Sequence, residues 1–214
     1  MMILNKTKHE VVSEFRCAEI LRAASKVFAR RGFDGATVDQ IAETAGLAKG
    51  TVYVYFASKR ELYLEAVKQG IAELIDKTRR NMEAALGTAE KIKAFIRTRI
   101  EFAEEHRDLI TIYAAGLGSS AFEREFKGLY FEQLGDLEAV LEQGSREGLI
   151  RPVRACAAAF LIYEVTRGLA TQRRRGWSHA SAEDEVELLF DLVWNGLATS
   201  GDPAGREGVA CPSC

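Results

Sequence analysis

Apolar residues recur at three- and four-residue spacing along most of the chain, a pattern that predicts an all-α protein. Six long helices are expected, at about residues 10–31, 59–82, 89–105, 120–146, 153–175 and 182–199, with a shorter one at 106–118. The sequence has neither strand-like alternation nor an Asn-Gly hairpin signal. The helical stripes therefore account for nearly all of the apolar pattern.

Two much shorter helices are predicted between residues 37 and 56. Thr37 and Gln40 have the spacing of a capping box, so a helix should begin at residue 38. Gly46 stands where a residue in the left-handed conformation would end that helix. The second short helix should run from about Lys49 to Tyr55. A further capping box, Ser58 with Glu61, should begin the long helix that follows.

The second short helix has a polar outer face. Val52 and Phe56, four residues apart, should point toward the core. The other faces carry an ammonium group, a hydroxyl group and two phenol rings, on a set made up of Lys49, Gly50, Thr51, Tyr53 and Tyr55. A helix of two turns that presents these groups to water is expected to contact another molecule.

Two short helices joined by a glycine turn are typical of a helix-turn-helix that binds in the DNA major groove. The run from Arg16 to Leu64 resembles the DNA-binding domain of the TetR family of one-component transcriptional regulators. The resemblance is carried by Ile20, Ala23, Phe28, Gly32, Thr37, Ile41, Ala42, Ala45 and Gly46, then by Lys49-Gly50-Thr51-Val52-Tyr53 and Tyr55-Phe56-x-Ser58-Lys59-x-x-Leu62. Ala48 departs from the Ser of many relatives, so the cap of the second short helix should be weaker.

The resemblance implies a division of labour at DNA. Phosphate contacts would fall to Thr37, Tyr53 and Lys59, and base edges to Lys49, Gly50, Thr51 and Tyr55. Packing against the first helix is the alternative for the two tyrosines. Since each monomer would bind one half-site, we expect a palindromic operator with half-sites about one helical turn, or roughly 34 Å, apart.

The domain organisation implied by the resemblance is a three-helix DNA-binding head at residues 1–57, joined by a long helix to an effector-binding and dimerisation domain at 58–200. An effector pocket is expected among the helices from 89 to 175, because pockets commonly form between the helices of bundles. Its candidate lining is Phe102, Tyr113, Phe126, Tyr130, Phe160, Tyr163, Glu164 and Arg167, which would suit a largely apolar or aromatic small molecule. The alternatives are core aromatics and a structural Glu164–Arg167 ion pair.

The last two predicted helices are apolar over more than one stripe. In the final helix, Phe190, Val193, Trp194 and Leu197 are assigned to a homodimer interface, in which two helices from each subunit would form a four-helix bundle. A fully buried helix in a monomer is the alternative.

The net charge becomes informative about DNA binding only when the N-terminal part of the chain is considered separately. The whole chain has a net charge of −2, but residues 1–60 hold ten Lys and Arg against six Asp and Glu, a net charge of +4 beside the helix-turn-helix. Lys6 and Lys8 could act as a basic arm.

The N-terminal segment lacks the apolar region of a signal peptide, and no apolar run is long enough to span a bilayer. These features predict a cytoplasmic protein without a membrane partner.

Candidate chemistry beyond DNA binding is sparse. Cys17 and Cys156 lie in helical patterns, and Cys211 and Cys214 lie in a tail, residues 201–214, that is predicted to be disordered. We therefore predict neither a metal site nor a cofactor. The sequence lacks Gly-x-Ser-x-Gly, phosphate-loop and His-Glu-x-x-His motifs, so it does not indicate an enzyme. We predict a ligand-responsive repressor, with a DNA-binding protein controlled by a protein partner as the alternative.

Overall fold

The computed structural model describes residues 8–197, with side chains from residue 12 onward. The predictions made for Lys6, the Lys8 side chain, the tail at 201–214, Cys211 and Cys214 fall outside the described residues. Between residues 8 and 197 the chain forms nine α-helices and no β-strand, which confirms the all-α prediction. The helices are α1 (Lys8–Gly35), α2 (Val38–Ala45), α3 (Lys49–Tyr55), α4 (Lys59–Ala84), α5 (Gly87–Glu105), α6 (Arg107–Gly116), α7 (Ser120–Arg146), α8 (Ala155–Arg174) and α9 (Ala182–Leu197).

The nine helices group into two compact units, and both α4 and α7 contribute to each. The first unit contains α1, α2, α3, α4 up to Ile71, α6 and α7 up to Arg124. The second contains the remainder of α4, α5, the remainder of α7, α8 and α9. The compact units therefore divide inside α4, whereas the boundary predicted at residue 57 concerns the DNA-binding segment and stays a prediction.

In the first unit, α1 packs against both α2 and α6. Buried residues from all of its helices form its core, among them Ile20, Phe28, Ile41, Val52, Leu62 and Ile112. Tyr63 of α4 is also buried, and its hydroxyl donates a 2.5 Å hydrogen bond to the carbonyl oxygen of Ile112. Burial raises the pKa of Tyr63, so this phenol remains a donor at neutral pH.

Gly32 interrupts α1 with a φ of +69°, a conformation that few residues other than glycine adopt. The chain turns there, and the Phe33 ring lies 6.0 Å from that of Phe28 and 5.3 Å from that of Tyr63. Phe33 lies shortly before α2 in the chain, so its packing against these two rings helps to fix where the helix-turn-helix begins.

In the second unit, α5 packs against α8 and α9. The buried cluster at its centre includes Phe95, Ile96 and Ile100 of α5, Leu137 and Leu141 of α7, Tyr163 of α8 and Val186 of α9. None of the helices described between residues 8 and 197 is both long and apolar enough to cross a lipid bilayer. The same stretch holds no group of three His, Cys, Asp or Glu side chains placed to bind a metal ion.

Candidate nucleic-acid interface and effector site

The start and the end of α2 are fixed by local hydrogen bonds. The Thr37 hydroxyl accepts from the Gln40 backbone N–H at 3.3 Å, and the Gln40 side chain accepts from the Thr37 N–H at 3.1 Å, which confirms the capping box. Gly46 ends the helix with a φ of +68°, as predicted. The Leu47 N–H then donates to the Ala42 carbonyl at 2.9 Å, which completes the turn toward α3.

The short helix α3 turns one side into the first unit. Val52 and Phe56 are buried, as predicted, at 1% and 7% exposure. The predicted DNA contacts lie outside this core: Lys49, Gly50 and Tyr53 are exposed, and Thr51 and Tyr55 are half-buried. Ala48 at the N-cap makes no side-chain hydrogen bond, which confirms the weaker cap.

Val54 also belongs to this outer face, and sequence reasoning missed it. Its side chain is 79% exposed, which makes it the most open apolar position of α3. Its place outside the stripe from Val52 to Phe56 is the sequence signal that indicates an exposed side chain. An exposed valine suits apolar contact with a thymine methyl group.

Lys49 is held by a carboxylate of the neighbouring helix. Its Nζ lies 2.7 Å from Oδ2 of Asp39 in α2, and both side chains are at least half exposed. The hydrogen bond to Asp39, followed by the charge of the same carboxylate, raises the pKa of Lys49. The ammonium group is thus fully charged at neutral pH and is directed toward α2.

Lys59 has a structural role that the sequence did not indicate. Its Nζ donates to the carbonyl oxygens of Asp34 at 3.3 Å and Ala36 at 3.1 Å, and lies 4.6 Å from the centre of the Phe33 ring. These contacts tie the first turn of α4 to the link between α1 and α2. Because an ammonium group has three donors, at most one remains for a DNA phosphate, and that contact stays a prediction.

Ser58 and Glu61 form an altered version of the predicted capping box. The Glu61 N–H donates to the Ser58 hydroxyl at 3.1 Å, as expected. The Glu61 carboxylate accepts from the Ala57 N–H at 2.7 Å rather than from that of Ser58. The bond moves one residue earlier, and the start of α4 is still fixed at Lys59.

In the second unit, the structure brings together four of the predicted effector residues. The Tyr130 ring lies 5.1 Å from that of Tyr163, and its hydroxyl is 3.4 Å from Oε1 of Glu164. Glu164 also forms an ion pair with Arg167. Burial, and then the charge of Glu164, raises the pKa of Tyr130 to about 12. Tyr130 therefore remains a hydrogen-bond donor throughout the physiological range.

The other four predicted effector residues are spread over four helices. Phe102 and Phe126 are buried, while Phe160 is 46% exposed. Tyr113 belongs to the first unit, where its ring lies 5.7 Å from that of Phe122. The assignment of these residues to an effector site stays a prediction.

Arg99 in α5 is the main feature of the second unit that sequence reasoning missed. It is only 8% exposed, its Nη1 donates to Oε1 of Gln133 at 2.5 Å, and its guanidinium lies over the rings of Tyr163 and Phe95 at 4.3 and 5.2 Å. Its Nε is buried without a hydrogen-bond partner. The signal was an arginine on the apolar stripe of α5, the stripe formed by Ile92, Phe95, Ile96 and Ile100.

The residues assigned to a dimer interface are mostly covered by their own chain. Leu197 is 8% exposed, and Phe190, Val193 and Trp194 are partly buried against the central cluster. The apolar side chains that remain exposed on α8 and α9 are Phe160, Leu161, Val165, Leu188 and Leu192. The interface itself stays a prediction. The exposed side chains move its expected centre from the four predicted residues of α9 to the apolar residues that α8 and α9 expose.

Comparison with known proteins decides the family. Residues 20–66 match the model described as bacterial regulatory proteins, tetR family. Over 191 residues the chain is 30% identical to the HTH-type transcriptional repressor KstR2 of Mycobacterium tuberculosis, covering 87% of this chain and 94% of that protein. The chain belongs to the tetR family. It is thus a transcriptional regulator and not an enzyme, as predicted.

Two further similarities extend over most of this tetR-family chain. It is 28% identical over 183 residues to the HTH-type transcriptional regulator YhgD of Bacillus subtilis, covering 85% of this chain and 96% of that protein. The structure of the regulator FadR of Bacillus subtilis, in complex with stearoyl-CoA, matches with a TM-score of 0.74 at 19% identity. That match covers 84% of this chain and 98% of FadR, and it confirms the family fold.

Proposed function

We propose that this tetR-family regulator is a repressor that binds a palindromic operator as a homodimer and leaves it when a small effector binds. The observation that carries the proposal is the outer face of α3, where Lys49, Tyr53 and Val54 are exposed while Val52 is buried. A two-turn helix with this division presents its polar and aromatic side chains to solvent, where DNA can reach them, although the Lys49 ammonium group is paired with Asp39.

Each group on this face suits a different part of DNA. Lys49 can donate to guanine O6 and N7, Thr51 can meet a thymine methyl or a phosphate, and Val54 can meet a thymine methyl. A Cβ added at Gly50 would contact nothing within 4 Å, so the protein's own packing does not require a glycine there. Close approach of the backbone to DNA supplies a reason for it.

Phosphate contacts would position α3 in the groove. Thr37 is exposed at the start of α2, and because its oxygen accepts the capping bond, its O–H can still donate to a phosphate. Tyr53 can donate its phenol hydrogen. Lys59 adds charge near the same surface, with the one donor that its carbonyl contacts leave.

The proposed dimer uses the exposed apolar residues of α8 and α9. Leu161 and Val165 lie four residues apart on α8, as do Leu188 and Leu192 on α9, so each pair shares a helix face. The two helices pack against each other within the chain. A second copy that covers both faces would complete a four-helix bundle and remove these side chains from water.

Effector control would act through α4. This helix is continuous over 26 residues, which is about 39 Å, and it contributes residues to both compact units. An effector bound among the helices of the second unit would favour a position of α4 in which the two copies of α3 no longer fit successive grooves. Because the similar FadR structure contains stearoyl-CoA, long-chain acyl-CoA esters are the first effectors to test.

The test is selection of bound fragments from a random DNA pool, followed by release with acyl-CoA esters of several chain lengths. We expect an enriched palindrome whose half-sites are about one helical turn apart. Lys49→Ala should change the preferred bases. Lys127→Ala removes the same charge from an exposed position in the second unit and should leave the preference unchanged.

Enriched fragments without two-fold symmetry would contradict the dimer proposal. Operator binding that no acyl-CoA or other amphipathic small molecule alters would favour the alternative, a DNA-binding protein controlled by a protein partner. The exposed apolar side chains of α8 and α9 would then be the first place to look for that partner.

A further inference from the structure

Arg99 is a buried cation without a counter-charge among the residues that the structure describes. No carboxylate lies within ion-pair distance of it among residues 12–197, and the one polar group that it contacts there is the neutral side chain of Gln133. Burying a charge without a counter-charge is costly, and the faces of Phe95 and Tyr163 offset only part of that cost. A cation kept in such a position is expected to have a partner other than the described residues.

One edge of the Arg99 guanidinium is hydrogen-bonded, and the Nε of the other edge has no partner among the described residues. Nη1 is used by Gln133, whereas Nε is buried and donates to no described residue. The Nε–H and the adjacent Nη2 amino group point in nearly parallel directions, which is the arrangement that binds both oxygens of a carboxylate. The open edge therefore matches a carboxylate in both charge and shape.

The surroundings of Arg99 suit an apolar body attached to that carboxylate. Tyr163 contacts both Arg99 and Tyr130, so its ring joins Arg99 to the predicted effector cluster. The nearest acidic group of that cluster, Glu164, is already paired with Arg167. Phe95 and Tyr163, whose rings lie beside Arg99, both belong to the apolar core of the second unit.

We propose that Arg99 is the anchor for an anionic effector, an amphipathic molecule whose carboxylate binds the Nε and Nη2 edge while its apolar part packs beside Tyr163. This inference rests on the proposed effector-responsive function and makes the effector class narrower than the largely apolar molecule that the sequence suggested. Gln133 is the positioning residue, because it holds the opposite edge of the guanidinium.

The experiment uses the full chain without DNA, so it does not depend on the operator. Binding of octanoate, dodecanoate, stearate and cholate is measured by calorimetry, with dodecanol as the uncharged match for dodecanoate and lauroyl-CoA as the thioester form. At least one carboxylate should bind, and dodecanol should bind at least about tenfold more weakly than dodecanoate, since a charge-assisted hydrogen bond is lost.

Arg99→Met should weaken carboxylate binding by at least about tenfold and leave dodecanol unchanged, and Arg99→Lys should lie between, because it keeps the charge but not the paired donors. Arg97→Met is the matched control: Arg97 is on the same helix but pairs with Glu183 at the surface. It should bind every probe like the wild type. Tighter binding of lauroyl-CoA than of dodecanoate, unaffected by Arg99→Met, would overturn the carboxylate assignment.

Thermal unfolding of the ligand-free protein separates an anchor from a structural arginine. Arg99→Met should leave the Tm unchanged or raise it, because an uncompensated buried charge is removed. A Tm lowered by several degrees, or failure of every carboxylate to bind, would overturn the proposal. If Arg99→Met binds the selected operator normally without probes, the regulator proposal stands whatever the outcome for the effector.

Discussion

Lys49 in the first unit and Arg99 in the second unit differ in both their exposure to water and their pairing with a counter-charge. Lys49 is half exposed and lies 2.7 Å from a carboxylate of the adjacent helix. Arg99 is 8% exposed and has a neutral amide and two aromatic rings around it. The exposed cation, which water could stabilise, has a counter-charge, while the buried cation has none among the described residues.

The difference follows from what each cation has to do. An exposed ion pair contributes little to stability, so Lys49 can leave Asp39 for a DNA base or phosphate at small cost. We expect the Asp39 carboxylate to limit the binding of Lys49 to other polyanions. A buried cation without a counter-charge lowers stability, and it is retained where a ligand uses it. In the first unit, the charge of Lys49 is thus held by an ion pair, and in the second unit the charge of Arg99 is kept for a ligand.

The largest expected effect concerns the surface that Lys49 shares with Gly50. Gly50→Ala should reduce operator affinity at least about tenfold, because the added methyl group separates the backbone from the base edges. The same change should stabilise the folded protein by up to about 1 kcal/mol, since alanine favours a helix more than glycine does. Gel-shift titration and thermal unfolding measure the two effects.

Gly128→Ala is the control for that experiment. Gly128 is an exposed glycine within α7, where a Cβ would also meet nothing within 4 Å. It should give the gain in stability without the loss of operator affinity. If Gly50→Ala bound the operator as well as the wild type, the backbone of α3 would not approach DNA closely.

The helix-turn-helix could be predicted almost residue by residue, because its signals are local. The Thr37 and Gln40 side chains bond within one turn, and Gly46 acts through its own backbone conformation. The ends of α7 were also predicted, at Ser120 and Arg146, whereas α5 begins at Gly87, two residues before its predicted start.

The partners of buried and exposed groups could not be predicted in this way, because they come from distant parts of the chain. Arg99 and Gln133 are 34 positions apart, and Lys59 and Asp34 are 25 apart. Periodicity showed that α9 is apolar on more than one side, but it could not tell that Leu197 is covered by its own chain while Leu192 is exposed. Only the packing of the helices against one another decides that.

The next largest expected effect concerns Lys59, whose main role is either to bind DNA phosphate or to stabilise the fold. Lys59→Met should lower the stability of the protein by about 1–2 kcal/mol, because the hydrogen bonds to the Asp34 and Ala36 carbonyls and the contact with Phe33 are lost. Thermal unfolding measures this loss.

Arg60→Met is the control for Lys59, since the exposed Arg60 also begins α4 and makes none of these contacts. It should leave stability almost unchanged. If Lys59→Met instead left stability unchanged and lowered the slope of log affinity against log salt by about 1, its contact with a phosphate would be its main role.

The smallest expected effect acts on the Lys49–Asp39 pair itself. Asp39→Asn should raise affinity for both operator and random DNA about threefold, because it removes a negative charge that faces the phosphates and releases Lys49. Random DNA should gain at least as much as the operator, so the ratio of the affinity for the operator to the affinity for random DNA should stay level or fall.

Glu43→Gln is the control for this change. It removes an exposed carboxylate from the same helix that is not bonded to Lys49, and it reports the general effect of charge. If the two variants strengthen DNA binding equally, Asp39 acts only through its charge; a larger effect of Asp39→Asn that disappears in a Lys49→Ala background shows that the pair restrains Lys49.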